Sequence, residues 1–321
     1  MVAGNVDAIL SPNRMIRTEY AHCCHIYGTG VGVAVLDTGI HPRTDFLTIP
    51  PSNLPFNRIQ YFHDFVNNRQ YPYDDSGHGS HICGKIGSAA QLTEQEYLGI
   101  APGCNLIVLK VLDQNGNAPI STFVKALRWL RQNHHTYNIR IVNISIGTNL
   151  DSHKQESNLL VQEVDALWAE GLIVCASAGN NGPNPGSISS PGTSCWVITV
   201  GASDDNLPTI SSGSRRLYSG RGPTKCNTVK PELVAPGSQI ISCSNKNSGY
   251  TIKTGTSMST AFVSGAIALL LEQEPYLTNQ DVKNRLHDCA RRLDLPHFQQ
   301  GWGLLDIPRL LQSDTHTPGI Y

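Results

Sequence analysis

Four polar segments of this chain hold groups suited to nucleophilic acyl transfer. Ser257 lies in Gly255-Thr-Ser-Met-Ser-Thr-Ala261, small residues that pass straight into apolar sequence. A small-residue turn feeding a helix sets a hydroxyl beside unpaired N–H groups and the positive end of the helix dipole. Such a place holds a nucleophile and stabilises an oxyanion. By residue type alone the run is equally an ordinary turn. His78, in Asp74-Asp-Ser-Gly-His-Gly-Ser-His81, has glycines on both sides that open a helix and leave the imidazole accessible, as a base near neutral pH or as a metal ligand. No His-Glu-x-x-His pattern accompanies it, so no metal is assigned there, and His81 is read as structural.

Asp37 closes the run Ala34-Val-Leu-Asp and is followed by Thr38 and Gly39. A carboxylate beyond the C-terminal end of a parallel strand is placed to orient a histidine, or simply to cap a turn. Asn180, in Ala176-Ser-Ala-Gly-Asn-Asn-Gly182, offers either a side-chain donor for a developing oxyanion or a Gly-Asn-Asn-Gly turn.

The elements that must position these groups alternate in type. Short apolar runs at Gly32–Leu36, Asn105–Leu112, Ile139–Ile146, Leu172–Ala178 and Cys195–Val200 read as strands of a parallel sheet covered on both faces. Between them, Phe123, Val124, Leu127 and Leu130 recur at helical spacing, as do Leu160, Val161, Val164, Leu167 and Trp168. Thr278 followed by Asp281 predicts a capped helix with Val282 and Leu286 on its inner face. Strand, helix, strand in succession implies an α/β fold with right-handed crossovers, read as one domain.

Composition narrows the classes. The 321 residues are enough for a large core, and 24 basic against 25 acidic residues give a formal charge of −1. That balance excludes a nucleic-acid or membrane partner recruited by bulk charge. No apolar run reaches the roughly 18 residues of a membrane span, and no signal-peptide pattern opens the chain. A cytoplasmic setting with reduced thiols is therefore expected for the nine cysteines, or a secreted one if the chain is a processed form. They show no Cys-x-x-Cys spacing, so a zinc site is not expected.

Asp37-Thr-Gly, His78 within Gly-His-Gly-Ser-His, Ala178-Gly-Asn180 and Gly255-Thr-Ser257-Met-Ser, in that order, resemble the motifs of the subtilisin-like serine proteases, the subtilases of peptidase family S8. The resemblance runs from about Gly28 to Leu305. Between Arg58 and His81, where Asp64-Phe-Val66 precedes Pro72-Tyr-Asp-Asp75, it is most similar to the AprX-type bacterial branch.

The resemblance implies a three-layer α/β fold with a mostly parallel central sheet flanked by helices. It implies a catalytic domain over residues 28–310, an N-terminal extension over 1–27 and a tail over 311–321. It implies a serine endopeptidase of broad or apolar specificity, working through an acyl-enzyme: Ser257 attacks, His78 is the general base, Asp37 orients the imidazole, and Asn180 with the Ser257 N–H binds the oxyanion. A polypeptide substrate would lie as an added strand between Gly116-Asn117-Ala118 and Ser145-Ile146-Gly147, with Ala178, Gly179 and Ser189 lining the main specificity pocket. No cofactor is required. Calcium is frequent in the family, and Asp45 resembles one of its ligands, but its partner loop is not recognisable here.

Two positions depart from the family pattern. Ala261 replaces a proline in the first turns of the helix after Ser257, a change that costs the helix little. Cys83 replaces an alanine, about 100° round the helix from the position of the family's reactive cysteine. A binding pseudoprotease on the same fold is the alternative, although all three triad residues are present. A dinucleotide-binding protein is not, because Gly28, Gly30 and Gly32 precede the strand and are wrongly spaced.

Overall fold

The structure, a computed structural model, describes residues 12–47, 56–94, 96–146, 154–205, 217–224, 227–246 and 249–312. Two short helices, α1 (Pro12–Met15) and α2 (Glu19–Cys23), precede β1 (Gly32–Asp37). A 3-10 turn at Thr44–Phe46, β2 (Ile59–Asp64) and α3 (His78–Gly87) follow. A small antiparallel pair, β3 (Gln91–Thr93) and β4 (Glu96–Tyr97), leads to β5 (Asn105–Lys110), α4 (Ile120–Asn133), β6 (Ile139–Ile144) and α5 (Lys154–Ala169). Then come β7 (Ile173–Ser177), β8 (Ile198–Ala202), β9 (Leu233–Ala235) and the hairpin of β10 (Ile240–Cys243) and β11 (Tyr250–Lys253). Helices α6 (Thr256–Gln273), α7 (Asn279–Cys289), α8 (His297–Gln300) and α9 (Ile307–Leu311) close the described chain.

Seven strands form one parallel sheet in the order β2-β5-β1-β6-β7-β8-β9. The near-continuous apolar runs are explained by burial on both faces. Along β1, Val33 and Val35 join the core under α3 and α6, whereas Ala34 and Leu36 join the core under α4 and α5. β5 divides in the same way, with Leu106 and Val108 on one side and Ile107 and Leu109 on the other. The α/β three-layer architecture read from the sequence is the one observed.

The chain lays β2 and β5 on one side of β1 and then crosses to place β6 through β9 on the other. Where strand order reverses, the loops beyond the strand C-termini separate and leave a crevice. Asp37 at the end of β1 and Ser145 just after β6 both face that point.

α6 runs through the centre of one helical layer, and every residue from Thr256 to Leu271 is buried. Its apolar side chains, Phe262, Ile267, Leu269 and Leu270 among them, each contribute roughly 1.5–3 kcal/mol by burial. Its polar residues find partners: Ser259 Oγ donates to the Ala235 carbonyl, and Ser264 Oγ to Asn143 Oδ1. Buried hydroxyls without partners would be destabilising there. Ala261 is fully buried within this helix.

Some sequence-read boundaries shift. Residues Ser145 and Ile146 run past the end of β6, and Cys195 and Trp196 are exposed residues before β8, where no ladder holds them. The Thr278 capping box forms as expected, with Asp281 reciprocating. Of the segment 1–27, the described residues carry Ile16 and Ala21 into the core, next to α9; of the tail 311–321, residues 313 onward lie outside the described residues.

Candidate active site

The His78 loop is built by Asp74, which the sequence offers as a possible partner on the helix face of His78 and His81 but which lies before α3 and caps it. α3 begins at His78 behind Gly77, whose positive φ of 85° and missing side chain leave the helix without its own cap. Asp74 supplies one. Its Oδ2 accepts from the Ser80 N–H and hydroxyl, and its Oδ1 from the Gly77 N–H and the Thr38 hydroxyl. Burial disfavours the Asp74 charge, but these bonds outweigh it and hold the carboxyl below its usual range.

Lys110 is a contributor that the sequence pattern does not single out. Buried at the end of β5, it donates to the Thr38 and Leu112 carbonyls and pairs with Asp75 at 2.7 Å. One ammonium thereby joins the loops after β1 and β5 to the segment leading into His78. Gly39 and Gly79 complete the close approach: a Cβ on Gly39 would meet the Tyr73 carbonyl at 2.1 Å, and one on Gly79 the Gly39 carbonyl at 2.1 Å.

Asp37 is fully buried and accepts at Oδ1 from His78 Nδ1 at 2.7 Å and from the Thr38 N–H at 2.7 Å. The imidazole is 27% exposed, so it touches both protein and cleft. Burial opposes its protonation, yet the Asp37 carboxylate and hydrogen bond prevail and raise its pKa above the ordinary value.

Ser257 is the second residue of α6, and its Oγ donates to the Ser145 carbonyl at 2.8 Å. Ser145 Oγ returns a bond to the Ser257 carbonyl, and Asn143 Nδ2 donates to Ser145 Oγ. Helix and strand end are thus tied at the hydroxyl. Asn180 accepts at Oδ1 from the Thr256 N–H (3.0 Å) and hydroxyl (3.2 Å), which commits its oxygen and leaves Nδ2 as the donor end of the amide.

His78, Ser257, Asn180, Gly179, Ser189, Ser145, Ile146 and Gly116 all line one cleft of about 440 Å³. Asp37 stands behind His78. Ala178, expected to line the pocket, is fully buried behind it, its carbonyl accepting from the Ser189 N–H. Gly179 has a φ of +88°, and a Cβ there would meet Ser189 Oγ at 2.1 Å. Gly116-Asn117-Ala118, expected as an edge strand, instead begins within a turn in which Asp113 Oδ1 accepts from the Asn115 and Asn117 N–H groups and the Asp113 carbonyl from the Gly116 N–H. Among the described residues that segment has no sheet partner. Gly147 lies outside the described residues.

The flanking histidine and thiol stay out of the cleft. His81 is buried with Nε2 against the Ile240 carbonyl, and burial pushes its pKa down to about 3. Cys83 is fully buried, and burial pushes its thiol well up, which disfavours the thiolate. Cys23, Cys24, Cys83, Cys104, Cys175, Cys195 and Cys243 are free thiols.

Calcium does not fit at Asp45. The Arg43 guanidinium already pairs with Asp45 Oδ1 at 2.7 Å, both side chains being 5% exposed. Asp45 Oδ2 is taken by Ser88, Tyr250 and Cys243. A guanidinium fills the place where a cation would neutralise the carboxylate.

A serine at the start of a buried helix, beside an imidazole held by a buried carboxylate at the switch point of a parallel sheet, is an arrangement used by serine hydrolases. The chain belongs to the Subtilase family, Peptidase_S8, whose model matches residues 28–303. It is 39% identical over 283 residues to serine protease AprX of Bacillus subtilis (strain 168), an alignment covering 81% of this chain and 61% of that protein. The chain thus matches somewhat less than two thirds of the length of that relative. It is 32% identical to subtilisin DY of Bacillus licheniformis, over 93% of this chain and 97% of that one. A cold-adapted subtilisin-like serine proteinase superposes with a TM-score of 0.67 at 28% identity, covering 88% of this chain and 90% of that one. The CspB protease of Clostridium perfringens superposes with a TM-score of 0.79 at 19% identity, over 94% of this chain and 98% of that one, a likeness of fold. Among the described residues no helix is long and apolar enough to cross a membrane.

Proposed function

We propose that the chain is a serine endopeptidase in which Ser257 attacks the scissile carbonyl of an extended polypeptide. The observation that carries this reading is the 2.7 Å bond from His78 Nδ1 to buried Asp37, in the cleft that also holds Ser257. With Nδ1–H committed to Asp37, Nε2 is left bare as the base. The Ser257 hydroxyl leaves the Ser145 carbonyl by rotating about χ1 and gives its proton to Nε2 as Oγ bonds to the carbonyl carbon. Asp37 stabilises the imidazolium that results. Apo geometry of this kind tightens when substrate binds.

The oxyanion is bound by Asn180 Nδ2 and the Ser257 N–H. Thr256 supports that assignment, because its N–H claims Asn180 Oδ1 and so leaves Nδ2 as the donor end of the amide. Collapse of the intermediate breaks the C–N bond, and the imidazolium returns its proton to the leaving nitrogen. Water then repeats the sequence on the acyl-enzyme.

The substrate runs between Gly116-Asn117-Ala118 and Ser145-Ile146-Gly147 as an added strand. Gly179 and Ser189 bring only uncharged groups to the acyl-side pocket, which supports a broad or apolar preference there. No cofactor takes part. Labelling by a fluorophosphonate that vanishes in Ser257→Ala, together with loss of peptide hydrolysis, is the expected result. Persistent labelling at another serine would sink the assignment and favour a binding pseudoprotease.

A further inference from the structure

Past Ser76 and Lys253, the cleft continues into a second cavity of about 340 Å³ over the β10–β11 hairpin. Lys253 and Ser76 border both spaces, and Lys246, near the hairpin turn, lines the second. Among the described lining residues of the two spaces there are two lysines and no carboxylate.

The carboxylates closest in sequence or packing are already engaged. Asp74 caps α3, Asp75 pairs with Lys110, and Asp45 pairs with Arg43. Neither Lys246 nor Lys253 forms an ion pair among the described residues. Lys253 is half-exposed at the mouth of α6, and its charge is felt by His78, whose protonation it opposes.

We propose that Lys253 and Lys246 select acidic side chains in the first two or three residues after the scissile bond. This deepens the endopeptidase reading and rests on it. The direction follows from the chemistry: His78 must hand its proton to the leaving nitrogen, so the leaving half departs on the imidazole's side of Ser257. Ser76 and Gly77, which lead directly into His78, line the lysine-bearing cavity, whereas Gly179 and Ser189, on which the proposed acyl-side pocket is built, line only the first space. An extended peptide advances about 3.3–3.6 Å per residue, so a few residues carry it from one space into the other. Partly exposed charge pairs are weak singly but discriminate between ligands of opposite sign.

The test is a set of internally quenched peptides sharing one acyl half and carrying Glu-Glu, Gln-Gln or Lys-Lys after the cut. In the wild type at low salt, kcat/KM for the Glu peptide should exceed that for the Lys peptide by about tenfold, and the ratio should shrink towards one near 0.5 M salt. Lys253→Glu should bring the ratio to one or invert it, and Lys246→Glu should reduce it severalfold. Ratios between peptides cancel any change in His78 basicity caused by the substitution. Equal cleavage of Glu and Lys peptides by the wild type overturns the proposal, as does a ranking untouched by both variants, while cleavage of the Gln peptide leaves the endopeptidase reading standing. Cleavage of none of the three, with no fluorophosphonate labelling, overturns the endopeptidase reading and this proposal with it.

Discussion

Asp37 holds Nδ1 of His78 at 2.7 Å from a position with no solvent exposure of its own. A buried carboxylate in that place fixes the tautomer and favours the imidazolium. Because the His78 pKa is raised by this contact, the acid limb of the pH–rate profile should lie above the ordinary histidine value of about 6.5. Asp37→Asn removes the charge and leaves burial, which acts the other way. The variant should lose about 10⁴ in kcat, and its residual acid limb should move to lower pH. A variant with a nearly unchanged profile would rule out the orienting role.

Asn180 is held at Oδ1 by Thr256 and lines the cleft together with Ser257. An oxyanion donor acts in the transition state and not on the ground-state substrate. Asn180→Ala should therefore cost on the order of 10²–10³ in kcat with little change in KM. Steady-state kinetics on one peptide separates the two. A loss confined to KM would make Asn180 a substrate-binding residue only.

Much of this site is legible in the sequence because its polar residues stand where long apolar runs begin or end. Asp37 ends one apolar strand, Asn180 follows another, and Ser257 opens an apolar helix, each among small residues. The strands themselves are readable because both faces are buried. β2 escapes that signal: at the sheet edge its Gln60 is exposed and Tyr61 and His63 are half-exposed, so no continuous run appears. β9, with three residues, is too short to show a period. The supports are harder still. Lys110 looks like the stray polar residue of an apolar strand until the Thr38 and Leu112 carbonyls converge on it. Asp74 gains its meaning only when Thr38, from another loop, arrives beside it. Partners brought together by tertiary folding leave no local pattern to read.

Arg43 and Asp45 form an ion pair under the hairpin, with the guanidinium also bonded to the Gly249 carbonyl and set over the Tyr250 ring. Removing one partner of a buried pair strands the other, at a cost of about 3 kcal/mol or more. Arg43→Gln should lower stability by that amount in chemical denaturation. Wild-type stability should not respond through this site to calcium or chelator, since the guanidinium fills the cation's place. A chelator-induced loss in the wild type that Arg43→Gln abolishes would contradict the closed site.

Asp204 follows β8 and is 4% exposed, its carboxylate accepting from the Gly237 and Ser238 N–H groups. Burial dominates those bonds and raises its pKa to about 6, against about 3.9 in an unfolded chain. Between those values the folded protein binds more protons than the unfolded one, so stability falls as pH rises. The contribution is fully present below pH 4 and lost above about pH 6. Asp204→Asn has no proton to lose and should not share that fall. The stability of the variant relative to wild type should therefore improve by roughly 2 kcal/mol between pH 4 and pH 8, whatever constant cost the amide imposes. Denaturation midpoints measured for both proteins across that range provide the comparison. If the difference between them stays constant with pH, the Asp204 carboxylate is not the titrating group.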